Sequence, residues 1–206
     1  MLGRRANEPG LIKIDLVHLF HKQVQAKMGQ YYVTVILNDE GEIIAWMNAY
    51  GYNEGVKLME HSYLTSAYVN AVEFSLSPEG AYHKSRVVWA GDYADDEQRY
   101  YKKNLYALCN DDESKLIRPE PRSATKYRYI VNHTKKQYVD KTKVHEIHPL
   151  PLLTAEGNGR GGGDLQDAPP FVGSWARDVI SVEEALPGKE ALPENELFHE
   201  LVFVIT

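Results

Sequence analysis

The sequence predicts an α+β fold in a single domain, with a mainly antiparallel sheet, several helices and a loop-rich C-terminal third. Two pairs of strand-like segments are each joined by a short turn sequence, which is typical of β-hairpins. The regular alternation of strands and helices that a parallel sheet requires is not visible. After residue 148 the composition shifts, because six of the ten prolines and seven of the fifteen glycines lie there.

The first predicted element is an amphipathic helix from Leu11 to Met28, and Gly29 ends it. Its apolar residues fall at three- and four-residue intervals: Ile12, Leu16, Leu19, Phe20 and Val24. We interpret residues 1–27 as an N-terminal helical extension and residues 28–206 as the α+β domain. The extension is a candidate for binding a partner or for exchange between protomers.

The next elements are a hairpin and two helices. Aromatic and β-branched residues predict a strand over Tyr31–Leu37, turn residues follow, and a second strand is predicted over Glu42–Asn48. The pattern becomes helical at Asn53, which is the expected N-cap. A further helix is predicted from Ser66 to Leu76.

A short apolar strand is predicted over Ser85–Ala90, and it ends before an acidic stretch. A surface helix is then expected over Glu97–Leu108, with Asp95 or Asp96 as its N-cap. A second hairpin is predicted from residues 127–132 and 137–143, and the apolar segment 197–205 is expected to join the sheet.

Charge and cysteine content exclude several classes of function. The chain has 23 Lys and Arg against 29 Asp and Glu, which gives a net charge of −6 and argues against binding nucleic acid or anionic membranes through bulk charge. The single Cys109 excludes an intramolecular disulfide and a multi-cysteine zinc site. No apolar run reaches the ~18 residues of a membrane helix. We therefore expect a cytoplasmic protein without a membrane or nucleic-acid partner.

The glycine-rich segment after residue 156 is the main candidate for ligand binding. Closely spaced glycines let backbone amides converge on an anion, and arginine adds a bidentate donor. The candidate ligand-binding residues are Gly157, Asn158, Gly159, Arg160, Gly161, Gly162, Gly163, Asp164 and Arg177. The alternatives are a loop without a ligand and, for Arg177, an internal salt bridge. A dinucleotide site is not supported, because no helix follows the glycines.

The candidate catalytic residues are Asp92, Asp95 and His61. The two aspartates follow a strand that looks buried, where carboxylates are suited to position water directly or through a divalent cation such as Mg²⁺. His61 is a candidate acid or base. In the alternative interpretation the aspartates stabilise a turn and cap a helix, and His61 complements a helix C-terminus.

Four segments carry a resemblance to other sequences: Met28–Tyr31, Lys57–Tyr63, Val88–Asp95 and Leu152–Asp164. With these segments, the chain resembles a set of uncharacterised bacterial and phage proteins over roughly residues 28 to 206. The resemblance implies no particular activity and no site residues. It favours treating the N-terminal residues as an extension.

Two functional hypotheses follow from the sequence. The first is a protein that binds a small anionic ligand, such as a nucleotide or phosphorylated metabolite, and hydrolyses it if it is an enzyme. The second is a non-catalytic protein-interaction module, such as a phage- or host-directed binding protein, with tyrosines supplying contact area. The cofactor and the oligomeric state are unassigned, and a divalent cation is the one cofactor considered.

Overall fold

The computed structural model describes residues 30–100, 102–122, 126–157, 168–186 and 198–205. These residues form one eight-stranded sheet with short helices on both faces, so the predicted α+β class is confirmed. The predicted N-terminal helix lies outside the described residues. No helix in the described part of the chain is both long and apolar enough to cross a membrane.

The elements are short, and the strands outnumber the α-helices. The strands are β1 Tyr32–Leu37, β2 Ile43–Met47, β3 Ser85–Gly91, β4 Tyr129–Asn132, β5 Gln137–Asp140, β6 Ala155–Glu156, β7 Val179–Glu183 and β8 His199–Glu200. The α-helices are α1 Leu58–His61, α2 Ala67–Leu76, α3 Leu105–Asp111 and α4 Pro149–Leu153. Single 3₁₀ turns cover Ala49–Tyr52, Glu113–Lys115 and Lys141–Lys143.

The sheet order is β2-β1-β3-β7-β4-β5-β8, and most neighbours pair antiparallel. Two pairs are parallel: β5 with β8, and β3 with β6. One edge of β3 pairs with β7 near Ser85 and with β6 near Trp89. The two-residue strand β6 thereby places Glu156 beside the C-terminal end of β3.

Both faces of the central strands are covered. All six residues of β1 are buried, because alternate side chains enter two different clusters. Tyr32 and Ile36 face the main core with helix α2, whereas Val33 and Val35 face a smaller cluster under helix α3. Helix α3 therefore closes the second face of the sheet, and the cleft described below lies on that face.

Two predicted boundaries are wrong. The helix expected from Glu97 begins only at Leu105, where the Asn104 side chain caps it by accepting a hydrogen bond from the Ala107 N–H at 2.9 Å. Asp95 and Asp96 do not cap it. Asn53 ends the 3₁₀ turn in a left-handed conformation instead of starting a helix.

At the C-terminus only His199–Glu200 pairs as a strand within the segment 198–205 that the structure describes. The sequence predicted a strand over the whole apolar segment 197–205. The side chains of Val202 and Val204 are exposed, whereas Phe203 packs on Phe171 in the core. The alternating apolar pattern therefore reflects one buried side chain between two exposed ones.

A buried ionic network joins three elements in the main core. Glu73 of α2 is 1% exposed, and its carboxylate accepts hydrogen bonds from the Lys141 ammonium at 2.6 and 2.7 Å. His148, which is fully buried, accepts at Nδ1 from the Leu150 N–H and caps α4. Its Nε2 lies 3.0 Å from Glu73. Burial alone would raise the pKa of Glu73, but the contacts with His148 and Lys141 lower it, so the carboxylate is ionised.

We predict that Glu73→Gln lowers the free energy of unfolding by about 3–5 kcal/mol, because it removes the negative charge facing a buried ammonium. Glu113→Gln, on an exposed carboxylate, is the control and should cost at most about 0.5 kcal/mol. Urea unfolding followed by tryptophan fluorescence measures both values, since all three tryptophans are buried. Equal effects of the two substitutions would show that the network does not anchor the core.

Candidate functional site

A cleft of about 810 Å³ opens on the α3 face of the sheet. Its volume lies within the ~300–1,000 Å³ range of ligand pockets. The floor is apolar: Ile43 of β2 and Leu108 of α3 are partly exposed there, above the buried side chains of Trp46, Leu105 and Cys109. The Trp46 indole N–H donates to the Asp112 carbonyl at 3.1 Å, which fixes the ring against the end of α3.

The walls of the cleft carry an excess of negative charge. Seven carboxylates line it: Glu40 and Glu42 from the β1–β2 hairpin, Asp95, Asp96 and Glu97 after β3, Asp112 after α3, and Glu156 of β6. Three cationic side chains accompany them: Arg99, Lys115 and Arg177. Low-dielectric walls of one charge sign concentrate the field in a cleft, so a cationic group is favoured there and an anion is opposed.

Arg177 lies in this cleft, but two carboxylates already neutralise it. Its guanidinium donates to Glu156 at 2.5 and 2.6 Å and to Glu97 at 2.5 and 3.2 Å. These hydrogen bonds raise the pKa of Arg177 further above its ordinary value, and those to Glu156 have the largest effect. The alternative interpretation of Arg177 as an internal salt bridge is therefore confirmed. The sequence did not single out Glu97 or Glu156, because both are distant from Arg177 along the chain.

Asp95 and Asp92 occupy different positions around one turn. Asp95 is exposed and lines the cleft. Asp92 is half-buried outside the cleft lining, and its carboxylate accepts a hydrogen bond from the Tyr31 N–H at 3.2 Å. The Asp92 carbonyl accepts a further bond from the Asn104 side chain at 3.0 Å. Asp92 therefore holds the beginning of β1 to the end of β3, as its turn-stabilising alternative predicts.

Gly157, the first residue of the glycine-rich segment, is brought next to the end of β3. Gln30 is fully buried and fills the space between Gly91 and Gly157. A Cβ atom at Gly91 would lie 2.6 Å from the Gln30 Nε2, and one at Gly157 would overlap the same side chain. Packing against Gln30 therefore favours glycine at both positions.

The other predicted ligand-binding residues of this segment lie outside the described residues. They are Asn158, Gly159, Arg160, Gly161, Gly162, Gly163 and Asp164. The segment leaves the described structure at Gly157, directly after Glu156 in the cleft wall.

His61 is separated from the cleft and lies inside the main core. Its side chain is fully buried, its Nε2 accepts a hydrogen bond from the Trp89 indole N–H at 2.9 Å, and its Nδ1 lies 2.9 Å from the Gly55 carbonyl. The proton consequently resides on Nδ1, which donates to Gly55. Burial lowers the pKa of His61 and outweighs the opposing effect of that bond. The imidazole of His61 is neutral, and each of its nitrogens makes a hydrogen bond inside the core. This environment supports a structural role, because a substrate in the cleft could not reach the ring for acid–base catalysis.

The described residues provide neither a reactive thiolate nor a cluster of metal ligands at the cleft. Burial raises the pKa of the Cys109 thiol to about 12, so the thiolate nucleophile is not formed near neutral pH. Among the residues that the structure describes, no three His, Cys, Asp or Glu side chains are arranged to hold a metal ion.

We predict that acid destabilises the protein from about pH 6.5 downward through His61 and His148. Burial lowers the pKa of both imidazoles in the folded state, whereas the unfolded chain takes up these protons near pH 6.5. Each such histidine lowers the free energy of unfolding by up to about 1.4 kcal/mol per pH unit below that point. Urea unfolding at pH 7.5, 6.5 and 5.5 should show a shallower decline for His61→Gln than for the wild type. An unchanged decline would contradict the assignment of a neutral His61.

Comparisons with known proteins give no assignment for this cleft. No protein-family model, no curated protein and no solved structure matches the chain.

Proposed function

We propose that this protein is a non-catalytic interaction module whose cleft binds a basic, amphipathic segment of a partner protein. The observation that carries the proposal is the composition of the cleft: seven carboxylates above an apolar floor, with Arg177 neutralised by Glu97 and Glu156. This favours the interaction hypothesis over an anionic ligand inside the cleft, because a phosphate would face an excess of negative charge.

The two kinds of lining match the two faces of an amphipathic segment. Ile43 and Leu108, which are partly exposed at the floor, would contact apolar side chains, as in grooves that accept one face of a helix. Glu40 and Asp95, which are exposed on the walls, would meet lysine or arginine. Long cationic side chains suit this arrangement, since their methylene groups cover apolar surface while their charges remain at the rim.

A second candidate function is the binding of a small anionic ligand by the glycine-rich segment outside the cleft. The observation that favours it is the contact of Gln30 with both Gly91 and Gly157, which brings the start of the segment next to the turn of Asp92. In this proposal Arg160 and the backbone amides hold a nucleotide or phosphorylated metabolite. Asp92 or Asp95 would then position water, directly or through a divalent cation, if the ligand is hydrolysed.

For the interaction module, we predict that a labelled 18-residue amphipathic peptide of lysine and leucine binds the protein, whereas its glutamate and leucine counterpart does not. Fluorescence anisotropy measures both affinities. Added salt should weaken the binding, because exposed charges are screened. The double variant Glu40→Lys/Asp95→Lys should weaken it about tenfold, since each reversal of an exposed pair changes the binding energy by roughly 0.5–1 kcal/mol.

The matched control is Glu120→Lys/Glu184→Lys, which makes the same change in net charge at exposed positions outside the cleft. It should change the affinity by no more than about twofold. If both double variants weaken the peptide equally, the attraction depends on overall charge and the cleft is not the binding site.

For the second candidate, we predict that a nucleotide or phosphorylated metabolite raises the melting temperature of the wild type. A ligand at a hundred times its Kd stabilises the fold by about 2.7 kcal/mol. The shift should disappear in Arg160→Gln and persist in Arg122→Gln, which removes an exposed arginine on another part of the surface. The absence of a shift with every compound, with and without Mg²⁺, would reject this candidate and leave the peptide-binding proposal.

A further inference from the structure

The described chain begins beside the acidic cleft. Gln30 is held between Gly91 and Gly157, and Tyr31 exchanges hydrogen bonds with Asp92: its N–H donates to the carboxylate at 3.2 Å and its carbonyl accepts from the Asp92 N–H at 3.0 Å. Asp95, on the cleft wall, is only three residues after Asp92. An extended chain covers about 11 Å in three residues, so the N-terminal segment leaves the fold within that reach of the wall.

The N-terminal segment has the opposite charge to the cleft. Residues 1–29 contain five cationic side chains, Arg4, Arg5, Lys13, Lys22 and Lys27, against the two carboxylates of Glu8 and Asp15. The whole chain nevertheless carries a net charge of −6. The positive charge of residues 1–29 is opposite to that of the cleft beside which they join the fold, and opposite charges favour association.

The apolar pattern of the segment also matches the floor of the cleft. The predicted helix Leu11–Met28 would place Leu16, Leu19 and Phe20 on one stripe, with lysines beside it. A helix of that length spans about 27 Å. It joins Gln30 through Gly29, which gives the backbone freedom to reverse direction.

We propose that residues 11–28 of this same chain fold back and bind in the acidic cleft, so that a basic partner segment has to displace them. The inference rests on the proposed function, because it places in the cleft a segment of this chain that is basic and amphipathic like the proposed partner segment. The N-terminal extension then regulates access to the binding site.

The test uses the full chain and the lysine and leucine peptide as the probe. Lys13→Glu/Lys22→Glu removes the attraction of the segment for the cleft, so the peptide should bind about tenfold more tightly than it does to the wild type. Lys84→Glu/Lys136→Glu makes the same change in net charge at exposed positions outside the cleft. This control should stay within about twofold of the wild type.

The outcomes separate this inference from the proposed function. If the wild type and Lys13→Glu/Lys22→Glu bind the peptide with equal affinity, the segment does not occupy the cleft and the inference fails while the function stands. An equal gain in the control variant also overturns the inference. If no form binds the peptide, the proposed function fails, and cross-linking alone decides where the segment lies.

Carbodiimide cross-linking locates the segment directly, because it joins lysines to carboxylates in contact. We expect links from Lys13 or Lys22 to Glu40, Asp95 or Glu97, and their loss in the lysine variants. A mixture of isotope-labelled and unlabelled protein identifies the source of each link. Links confined to one chain support the proposal. Links between labelled and unlabelled chains assign the occupant to a second copy and overturn it, as does the absence of any link to the cleft.

Discussion

Glu73 places a carboxylate in the core between Lys141 and His148, and this buried contact constrains three separate parts of the chain. It fixes helix α2 against the end of β5 and against the N-terminus of α4, which His148 caps. Helix α4 leads directly into β6, and β6 carries Glu156 to the wall of the cleft. The position of the Arg177 ion pair with Glu156 is therefore linked, through helix α4 and strand β6, to a charge network on the opposite face of the sheet.

The elements that can be predicted from the sequence are those with a complete local signal. Strands β1 and β2 combine apolar residues with turn chemistry at Asn38–Gly41, and Ser66 caps helix α2 by accepting from the Val69 N–H. Strand β6 has only two residues and therefore no periodicity. The start of α3 depends on Asn104, whose amide also donates to the Asp92 and Ala94 carbonyls. Such contacts between separate segments leave no pattern in a short window of sequence.

The candidate site shows the same division between local and distant signals. The sequence indicates that Asp95 follows a buried strand, and the structure places it in the cleft with Arg177. The environment of His61 is set by Trp89, which is 28 residues away, so a position at a helix end could not distinguish a core histidine from a catalytic one. The cleft floor likewise combines Trp46 with Leu105, which meet only because α3 packs across the sheet.

The burial of Gln30 between Gly91 and Gly157 has a consequence for how related sequences can vary. A side chain at either glycine would need the space that Gln30 fills, and a shorter residue at position 30 would open a void beside both strand ends. Substitutions at these three positions should therefore occur together during divergence. Covariation among positions 30, 91 and 157 would then mark homologues that keep this junction, even where the segments around it have drifted apart.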